Sequence, residues 1–176
     1  MLHIFDLDNT LVHTTRNVFD GRFTVFHIHV DNQQHYVHVR PHVLDFIQSL
    51  CHHRIPWGVW TAAKKEYMTK VVQGLLRLAN VHNCPHLAET LKVCLHREHT
   101  TRIANNIYLK DLTLFTPEEV ILYDDSTLHR ERNTYGKVVL VPKFDITRRK
   151  ARFDCYFLTL CCIERQLANF HLAGVR

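Results

Sequence analysis

The sequence predicts an α/β fold built on one parallel sheet, and three observations lead to this prediction. Short apolar segments typical of buried strands alternate along the chain with segments whose apolar residues repeat at helical spacing. The composition, with 46% hydrophobic and 22% charged residues, is that of an ordinary globular protein. The length of 176 residues suits a single domain, residues 1–176, whose core needs neither disulfides nor a structural metal.

The first part of the chain predicts a strand, a hairpin and a helix. An apolar strand begins at Leu2 and ends at Asp6. Two alternating segments around a turn at Asp31 and Asn32 predict a small β-hairpin within an insertion over about residues 18–40. These segments are Phe23 to Val30 and His35 to Val39. Pro41 opens a helix whose buried face, at positions i, i+3, i+4 and i+7, consists of Val43, Phe46, Ile47 and Leu50.

The second part of the chain predicts further strands and helices in alternation. Trp57 to Trp60 forms a strand that runs directly into Thr61, and a helix follows with Tyr67, Val71, Leu75 and Leu78 on one face. Three more strands are predicted at Val93 to His96, Val120 to Tyr123 and Val138 to Val141, before a C-terminal helical segment over about residues 147–172. Helices in such alternation cover both faces of a parallel sheet.

Acidic residues follow two of the predicted strands. Asp6 and Asp8 come directly after the first strand, and their side chains project to the same side while the chain is extended. Asp124 and Asp125 follow the strand that begins at Val120. Since ligands of parallel sheets bind beyond the carboxyl ends of the strands, we expect these four carboxylates in one pocket. Their mutual repulsion is tolerated where a divalent cation uses them, and Mg²⁺ prefers such oxygen ligands.

A hydroxyl and an ammonium group complete the expected site. Thr61 ends the second strand with a hydroxyl that can donate to a phosphate oxygen. Lys110, about ten residues before Val120, can reach the same pocket, offset its negative charge and bind a transferring phosphoryl group. No serine or cysteine nucleophile with a paired base stands out, whereas a carboxylate can itself attack phosphorus and form an aspartyl-phosphate.

Six segments resemble, in order and spacing, the haloacid dehalogenase superfamily. The similarity is greatest to the phosphatases of the C-terminal domain of RNA polymerase II and their small relatives, the NLI-interacting factor-like family. The segments are Asp6 to His13, Arg40 to Val43, Trp60 to Ala62, Arg97 with Glu98, Tyr108 to Leu112, and Asp124 to Ser126. An ordered set of this kind is far more specific than a lone Asp-x-Asp-x-Thr. The resemblance implies a Rossmann-like sheet with helices on both faces and no large cap domain.

The resemblance also implies a role for each candidate residue. Asp6 would be the nucleophile and a Mg²⁺ ligand, and Asp8 the general acid, then the general base, with its backbone carbonyl on the metal. Thr61 and Lys110 would bind the phosphoryl oxygens. Asp125 matches the position that binds the metal in these relatives, whereas Asp124 would orient Lys110 or reach the metal through water.

The function expected from this resemblance is that of a Mg²⁺-dependent phosphatase acting on phosphoserine or phosphothreonine in a protein or peptide. Two alternatives remain open at this point. One is a phosphatase for small molecules or nucleic-acid ends. The other is a module that binds nucleic acid or an acidic partner through the basic segment 143–152, with the phosphatase site idle. The net charge of +5 is compatible with any anionic partner.

The 15 histidines and six cysteines raise the question of a zinc site. Cys84, His86, Cys94, His96 and His99 supply suitable ligand types, but their spacing matches no common structural zinc pattern. Free thiols are expected, as is usual in a reducing compartment.

No membrane span or signal peptide is predicted, because the longest apolar run is short and Asp6 and Asp8 interrupt the apolar start. A cytoplasmic or nuclear location follows from these expectations.

Overall fold

A computed structural model of the chain describes residues 1–17, 23–81, 84, 86–116, 119–148, 150–151 and 154–160. Its strands are β1 (Leu2–Phe5), β2 (Val12–Thr15), β3 (Val25–Val30), β4 (Gln33–Val39), β5 (Trp57–Trp60), β6 (Leu91–Leu95), β7 (Thr101–Ala104), β8 (Ile107–Leu109), β9 (Val120–Asp124) and β10 (Lys137–Leu140). Its α-helices are α1 (Val43–His52), α2 (Lys65–Leu78), α3 (Leu87–Thr90) and α4 (Thr127–Arg132). Single turns of 3₁₀ helix lie at Arg97–His99 and Leu112–Leu114.

The main sheet has five parallel strands in the order β10-β9-β1-β5-β6, which confirms the predicted α/β class. The central strand is β1, where Phe5 lies beside Val59 of β5 on one side and Tyr123 of β9 on the other. Strands buried on both faces need apolar side chains throughout, as the sequence of β5 illustrates. Because the strands all run in one direction, the residues that follow β1, β5 and β9 meet at one edge of the sheet.

One face of the sheet is covered by α1 and α2. Phe5 and Val59 pack there against both helices in the larger hydrophobic cluster. The four residues predicted for the inner face of α1 are all buried, as the helical period requires. Leu78 was predicted on the buried face of α2, but its side chain is 39% exposed. It is the last residue of the helix and borders a surface groove between α2 and β3.

The other face is covered by shorter pieces of chain. Ile4 and Leu122 pack with Leu112, from the second 3₁₀ turn, in a smaller cluster. Helix α4 contacts β10 and β8 next to this turn. Strand β9, which contributes Leu122 to this cluster, is buried along its whole length. Helical segments therefore flank the sheet on both sides, as predicted.

The predicted hairpin is present as β3 and β4, joined by a two-residue turn. Asp31 and Asn32 have φ angles of 50° and 59°, the left-handed backbone that suits the tight turn of a hairpin. A third strand, β2, was not predicted and pairs with β4 to make a small antiparallel sheet in the order β2-β4-β3. The insertion between Asp8 and Thr61 thus consists of this small sheet and α1 in the described residues, without a large cap domain.

The chain after β10 returns across the carboxyl edge of the main sheet. Residues 156–160 are helical, and Phe157 is fully buried against Phe46 of α1, with ring centroids 5.1 Å apart. The guanidinium of Arg40 is buried and donates to Asp154 from Nε (3.1 Å) and a terminal nitrogen (2.7 Å). Most of the predicted C-terminal helical segment, from residue 161 onward, lies outside the described residues.

Two further sequence expectations concern cysteines and membranes. Cys51, Cys84, Cys94 and Cys155 are free thiols, and the remaining two cysteines lie outside the described residues. Among the described helices, none combines the length and the apolar character that crossing a bilayer requires.

Candidate active site

The loop that follows β1 brings its two acidic residues to the carboxyl edge of the sheet. The Asp6 amide still belongs to the sheet, since it donates to the carbonyl of Tyr123 (2.9 Å). Beyond it the chain turns around the carbonyl of Leu7, which accepts from three following amides, and Asn9 takes a left-handed φ of 64°. This tight turn holds Asp6 and Asp8 at the end of the central strand.

Lys110 is shared between the carboxylates of Asp6 and Asp124. Its ammonium group donates to Asp6 Oδ1 and, over 2.6 Å, to Asp124 Oδ2. All three side chains are buried, and the side chain of Lys110 is only 2% exposed. Burial alone would lower the pKa of Lys110, but the two carboxylates together raise it, so the amine stays charged. The structure therefore brings together three of the predicted site residues.

The backbone of Lys110 is held by residues from α4 and its end. Asn133 accepts from the amide of Leu112 (2.8 Å) and donates to the carbonyl of Lys110 (3.0 Å). His129 accepts from the amide of Lys110 (3.4 Å), and burial lowers the pKa of its ring. A neutral His129 adds no second positive charge beside Lys110. Sequence reasoning missed both residues, because each acts on a backbone group about twenty residues away in the chain.

The Asp8 side chain turns toward α2 and β5. Its Oδ1 accepts a hydrogen bond from the Tyr67 hydroxyl, and Tyr67 in turn accepts one from Thr14 over 2.7 Å. Its Oδ2 lies 3.4 Å from the hydroxyl of Thr61. Burial raises the pKa of Asp8, and the hydrogen bond from Tyr67 opposes that shift. A carboxyl group with a raised pKa is suited to donate a proton.

Tyr67 is a site residue that was predicted on a helix face and left out of the predicted catalytic set. The signal that could have found it is its position in the first turn of α2, a few residues after Thr61. Thr61 itself is buried, and its hydroxyl accepts from the amide of Ala63 (3.0 Å), which fixes the loop after β5. Arg97 supports the same loop, because its Nε donates to the carbonyl of Ala62 over 2.8 Å.

The acids of the site form one group with metal-binding potential. Among the described residues, Asp6, Asp124 and Asp125 offer carboxylate oxygens that lie within 4.8 Å of one another. Asp124 is committed elsewhere, because its Oδ1 accepts from the amide of Ser126 (2.9 Å) and its Oδ2 from Lys110. Asp125 is half-buried, and burial, reinforced by the charge of Asp124, raises its pKa.

The charge balance of the site is consistent with a divalent cation. Burial raises the pKa of Asp6, Lys110 opposes the shift, and the charges of Asp124 and Asp8 add to it. Lys110 contacts only two of the four carboxylates, Asp6 and Asp124, so a hard cation would relieve repulsion that Lys110 alone does not balance. The donors are carboxylate oxygens, which fit Mg²⁺ in type.

The residues considered for zinc are arranged differently. The rings of His96 and His99 lie 4.3 Å apart, while His86 contacts Glu89 (3.2 Å) and Arg54 (3.0 Å). Within the described part of the chain, no three of the Cys and His side chains bring ligand atoms as close together as the acidic group does.

Comparison with known proteins identifies relatives along most of the chain. Residues 2–171 match the family described as NLI interacting factor-like phosphatase. CTD small phosphatase-like protein 3 from Caenorhabditis elegans is 31% identical over 127 residues, which make up 70% of this chain and 40% of that protein. The chain therefore spans well under half the length of this relative.

Two solved structures share the fold. One is the fission yeast RNA polymerase II CTD phosphatase Fcp1 bound to beryllium fluoride, with a TM-score of 0.58 and 15% identity over 81% of this chain and 41% of that chain. The other is a structure of Fcp1, an essential RNA polymerase II CTD phosphatase, with a TM-score of 0.56 and 18% identity. It aligns with 97% of this chain and 52% of that chain. At these identities the similarity shows a common fold.

Proposed function

The chain belongs to the family of NLI interacting factor-like phosphatases, in the haloacid dehalogenase superfamily, and on this premise we propose that it hydrolyses phosphate monoesters on serine or threonine residues of proteins. The observation that supports this most is the buried contact of Lys110 with Asp6 and Asp124, beside Asp8, at the carboxyl edge of the sheet. A buried lysine between a candidate nucleophile and a second acid is suited to phosphoryl transfer.

The proposed reaction begins at Asp6. A carboxylate oxygen of Asp6 attacks phosphorus and forms an aspartyl-phosphate, while the bond from phosphorus to the serine or threonine oxygen breaks. Asp8 donates its proton to that leaving oxygen, which departs as the hydroxyl of the product. Lys110 and Thr61 bind the oxygens of the transferring group and offset the charge that develops on them.

The second step regenerates the enzyme. Asp8, now a carboxylate, takes a proton from water, and the water oxygen attacks phosphorus. The bond between phosphorus and Asp6 breaks, so inorganic phosphate leaves and Asp6 is again a carboxylate. Tyr67 supports Asp8 through this exchange, because its hydrogen bond favours the ionised form that acts as the base.

We further propose that Mg²⁺ is the cofactor. Asp6 and Asp125 would bind it through side-chain oxygens and Asp8 through its backbone carbonyl, while Asp124 would serve to position Lys110. When bound, the cation supplies positive charge that offsets the carboxylates and the phosphoryl oxygens. The assignment is supported by the close oxygens of the acidic group and by the two hydrogen bonds that already occupy Asp124.

The lack of a large cap domain in the described residues favours a macromolecular substrate. In the described residues the insertion before Thr61 is a small sheet with one helix, and no large domain covers Asp6 and Asp8. The names of the related proteins refer to the C-terminal domain of RNA polymerase II, and we take a phosphorylated protein segment as the substrate class here. Cytoplasm and nucleus are the compartments this function implies.

Phosphate release from p-nitrophenyl phosphate and from phosphoserine and phosphothreonine peptides, with and without MgCl₂, tests the proposal. The wild type should hydrolyse both kinds of substrate only with the cation, and Asp6→Asn should lose at least a hundredfold in kcat. Asp45→Asn, on the exposed side of α1, removes an equal charge and should retain activity. Mass spectrometry of acid-quenched enzyme should find phosphate on Asp6.

Three results would contradict the proposal. If the protein hydrolyses none of these esters, it is not a phosphatase. If Asp6→Asn keeps full activity, Asp6 is not the nucleophile. If the protein hydrolyses nucleotides or nucleic-acid ends but not phosphopeptides, its substrates belong to the alternative class of small molecules or nucleic-acid ends.

A further inference from the structure

A basic groove lies next to the proposed site and plays no part in the reaction above. It has a volume of about 530 Å³. Its lining includes Lys143, Phe144, Arg148, Lys150 and Tyr156, and we call it the basic groove. Three of these side chains are cationic, and all three are exposed.

Backbone contacts fix the position of the groove relative to the catalytic acids. The amide of Val141 donates to the carbonyl of Asp124 (2.8 Å), and the amide of Phe144 donates to the carbonyl of Asn9, next to Asp8, over 2.7 Å. Lys143 lies between these two anchors. The groove therefore begins where the proposed site ends.

The two acidic residues of the groove both have partners within the protein. Asp154 receives two hydrogen bonds from the buried guanidinium of Arg40. Asp145 accepts from the amide (3.0 Å) and the hydroxyl (2.7 Å) of Thr147. Arg148 is 3.8 Å from Asp145, yet its side chain remains 66% exposed. Lys143, Arg148 and Lys150 thus remain accessible from solution, although Arg148 also faces Asp145.

We propose that the basic groove binds a second anionic side chain of the phosphoprotein substrate, a few residues away from the phosphate that is removed. The inference rests on the proposed phosphatase function for the identity of the substrate. Three exposed cations around an apolar floor of Phe144 and Tyr156 suit a discrete phosphate or carboxylate on a peptide. A nucleic-acid backbone presents evenly spaced phosphates along its length. The carboxylates of Asp145 and Asp154 would lie in its path.

Binding of fluorescent peptides tests this without any need for turnover. Each peptide contains one phosphothreonine, alone or with a phosphoserine or glutamate placed from one to five residues before or after it. Affinities are measured by anisotropy at low salt in EDTA, for the wild type and for Asp6→Asn, so that the peptides keep their phosphate. On one side of the phosphothreonine, the second anion should tighten binding by roughly fivefold, the size of one or two exposed ion pairs. Comparison of the glutamate and phosphoserine peptides separates a carboxylate ligand from a second phosphate.

Matched variants locate the effect. Lys143→Gln with Arg148→Gln should reduce the preference to less than about twofold. Lys92→Gln with Arg77→Gln removes the same charge from exposed positions on β6 and α2 and should keep the preference. Thermal unfolding of both double variants verifies that each is folded.

Several results would overturn the inference. These are the absence of a preference at every spacing, an equal loss in both double variants, or a labelled oligonucleotide whose binding alone depends on the groove. The last would assign the groove to nucleic acid. Failure of the proposed phosphatase function would be visible separately. If the protein binds the peptides with the expected preference but releases no phosphate, the role of the basic groove is supported and the phosphatase function is contradicted.

Discussion

The hydroxyl of Tyr67 donates a hydrogen bond to Asp8 from the first turn of α2. Since the same hydroxyl accepts from Thr14 (2.7 Å), the phenol is held on both sides and its direction is fixed. Asp8 has two proposed duties, proton donor and then proton acceptor, and it can perform both only if its carboxyl group stays in one place. Tyr67 is thus a positioning residue for the proposed acid and base.

Replacement of Tyr67 by Phe should lower kcat by roughly tenfold, within the usual range for loss of support to an acid–base residue. The lost hydrogen bond favoured the ionised form of Asp8, so the pKa of Asp8 should rise and the limb of the pH–rate profile due to Asp8 should move to higher pH. Profiles of p-nitrophenyl phosphate hydrolysis measure both effects. Tyr135→Phe, on an exposed loop, is the control. An unchanged profile would remove Tyr67 from the site.

Lys110→Met should abolish activity and lower the free energy of unfolding by about 3 kcal/mol at pH 7.5, because it leaves two buried carboxylates without their partner. The loss should be smaller at pH 5. Burial already raises the pKa of Asp6, so this carboxyl takes up a proton as the pH falls and the unpaired charge disappears. Urea denaturation at the two pH values tests this, with Lys92→Met as an exposed control. A loss that grows toward pH 5 would contradict it.

Asp8→Asn should make the protein without Mg²⁺ more stable at pH 7, by about 1 kcal/mol, the usual size of a single stabilising substitution. A folded-state pKa above the unfolded value means that the charged form of Asp8 costs stability once the pH exceeds the unfolded pKa. The amide has the same shape without that charge. The gain should shrink to nothing as the pH approaches 4. Denaturation curves from pH 4 to pH 8 provide the measurement, and destabilisation across the whole range would refute this reading of Asp8.

Added MgCl₂ should raise the thermal midpoint of the wild type, and EDTA should reverse the change. At a concentration ten times the dissociation constant, the cation adds about 1.4 kcal/mol to the stability. Asp125→Asn should reduce the shift strongly, since this residue is proposed as a direct ligand. Glu119→Gln, an exposed residue before β9, should leave it intact. An equal shift in wild type and Asp125→Asn would place the cation elsewhere.

Asp154→Ala should lower the free energy of unfolding by about 3 kcal/mol, because it leaves the buried guanidinium of Arg40 without its carboxylate. The ion pair of Lys64 and Asp31 (2.8 Å) offers a matched comparison at the surface. Breaking it by Asp31→Asn should produce no resolvable change, since solvent screens exposed pairs and asparagine tolerates the left-handed backbone of this turn. Chemical denaturation of the two variants measures the contrast. Equal effects would show that burial of Arg40 does not matter.

The elements that could be predicted from the sequence are those whose pattern is local. The apolar strand before Asp6, the period of α1 and the turn at Asp31 each depend on a few neighbouring residues. Strand β2 has no such pattern, because it is short and exists through pairing with β4. Strand β7 is exposed along its whole length, so it has no apolar alternation to recognise.

The same difference applies to the candidate site. The proximity of the acids after β1 and β9 could be predicted from the sequence, because parallel strands end at a common edge. The contact of Tyr67 with Asp8 depends on the exact direction of a helix relative to a loop. Asn133 supports Lys110 through hydrogen bonds to backbone groups, and almost every residue type has these groups, so the sequence does not reveal the contact. Such contacts follow from the three-dimensional arrangement rather than from spacing.

The central place of β1 has a consequence for the order of events during biosynthesis. Of the five strands in the main sheet β1 is synthesised before the others, yet its pairing of Leu2 with Val120 joins residues that lie far apart in the sequence. Contacts between such distant residues form late, and they slow folding. Until β9 has been made, Asp6 has neither Lys110 nor Asp124 beside it. The nascent chain therefore holds its proposed nucleophile in an inactive state until the sheet closes.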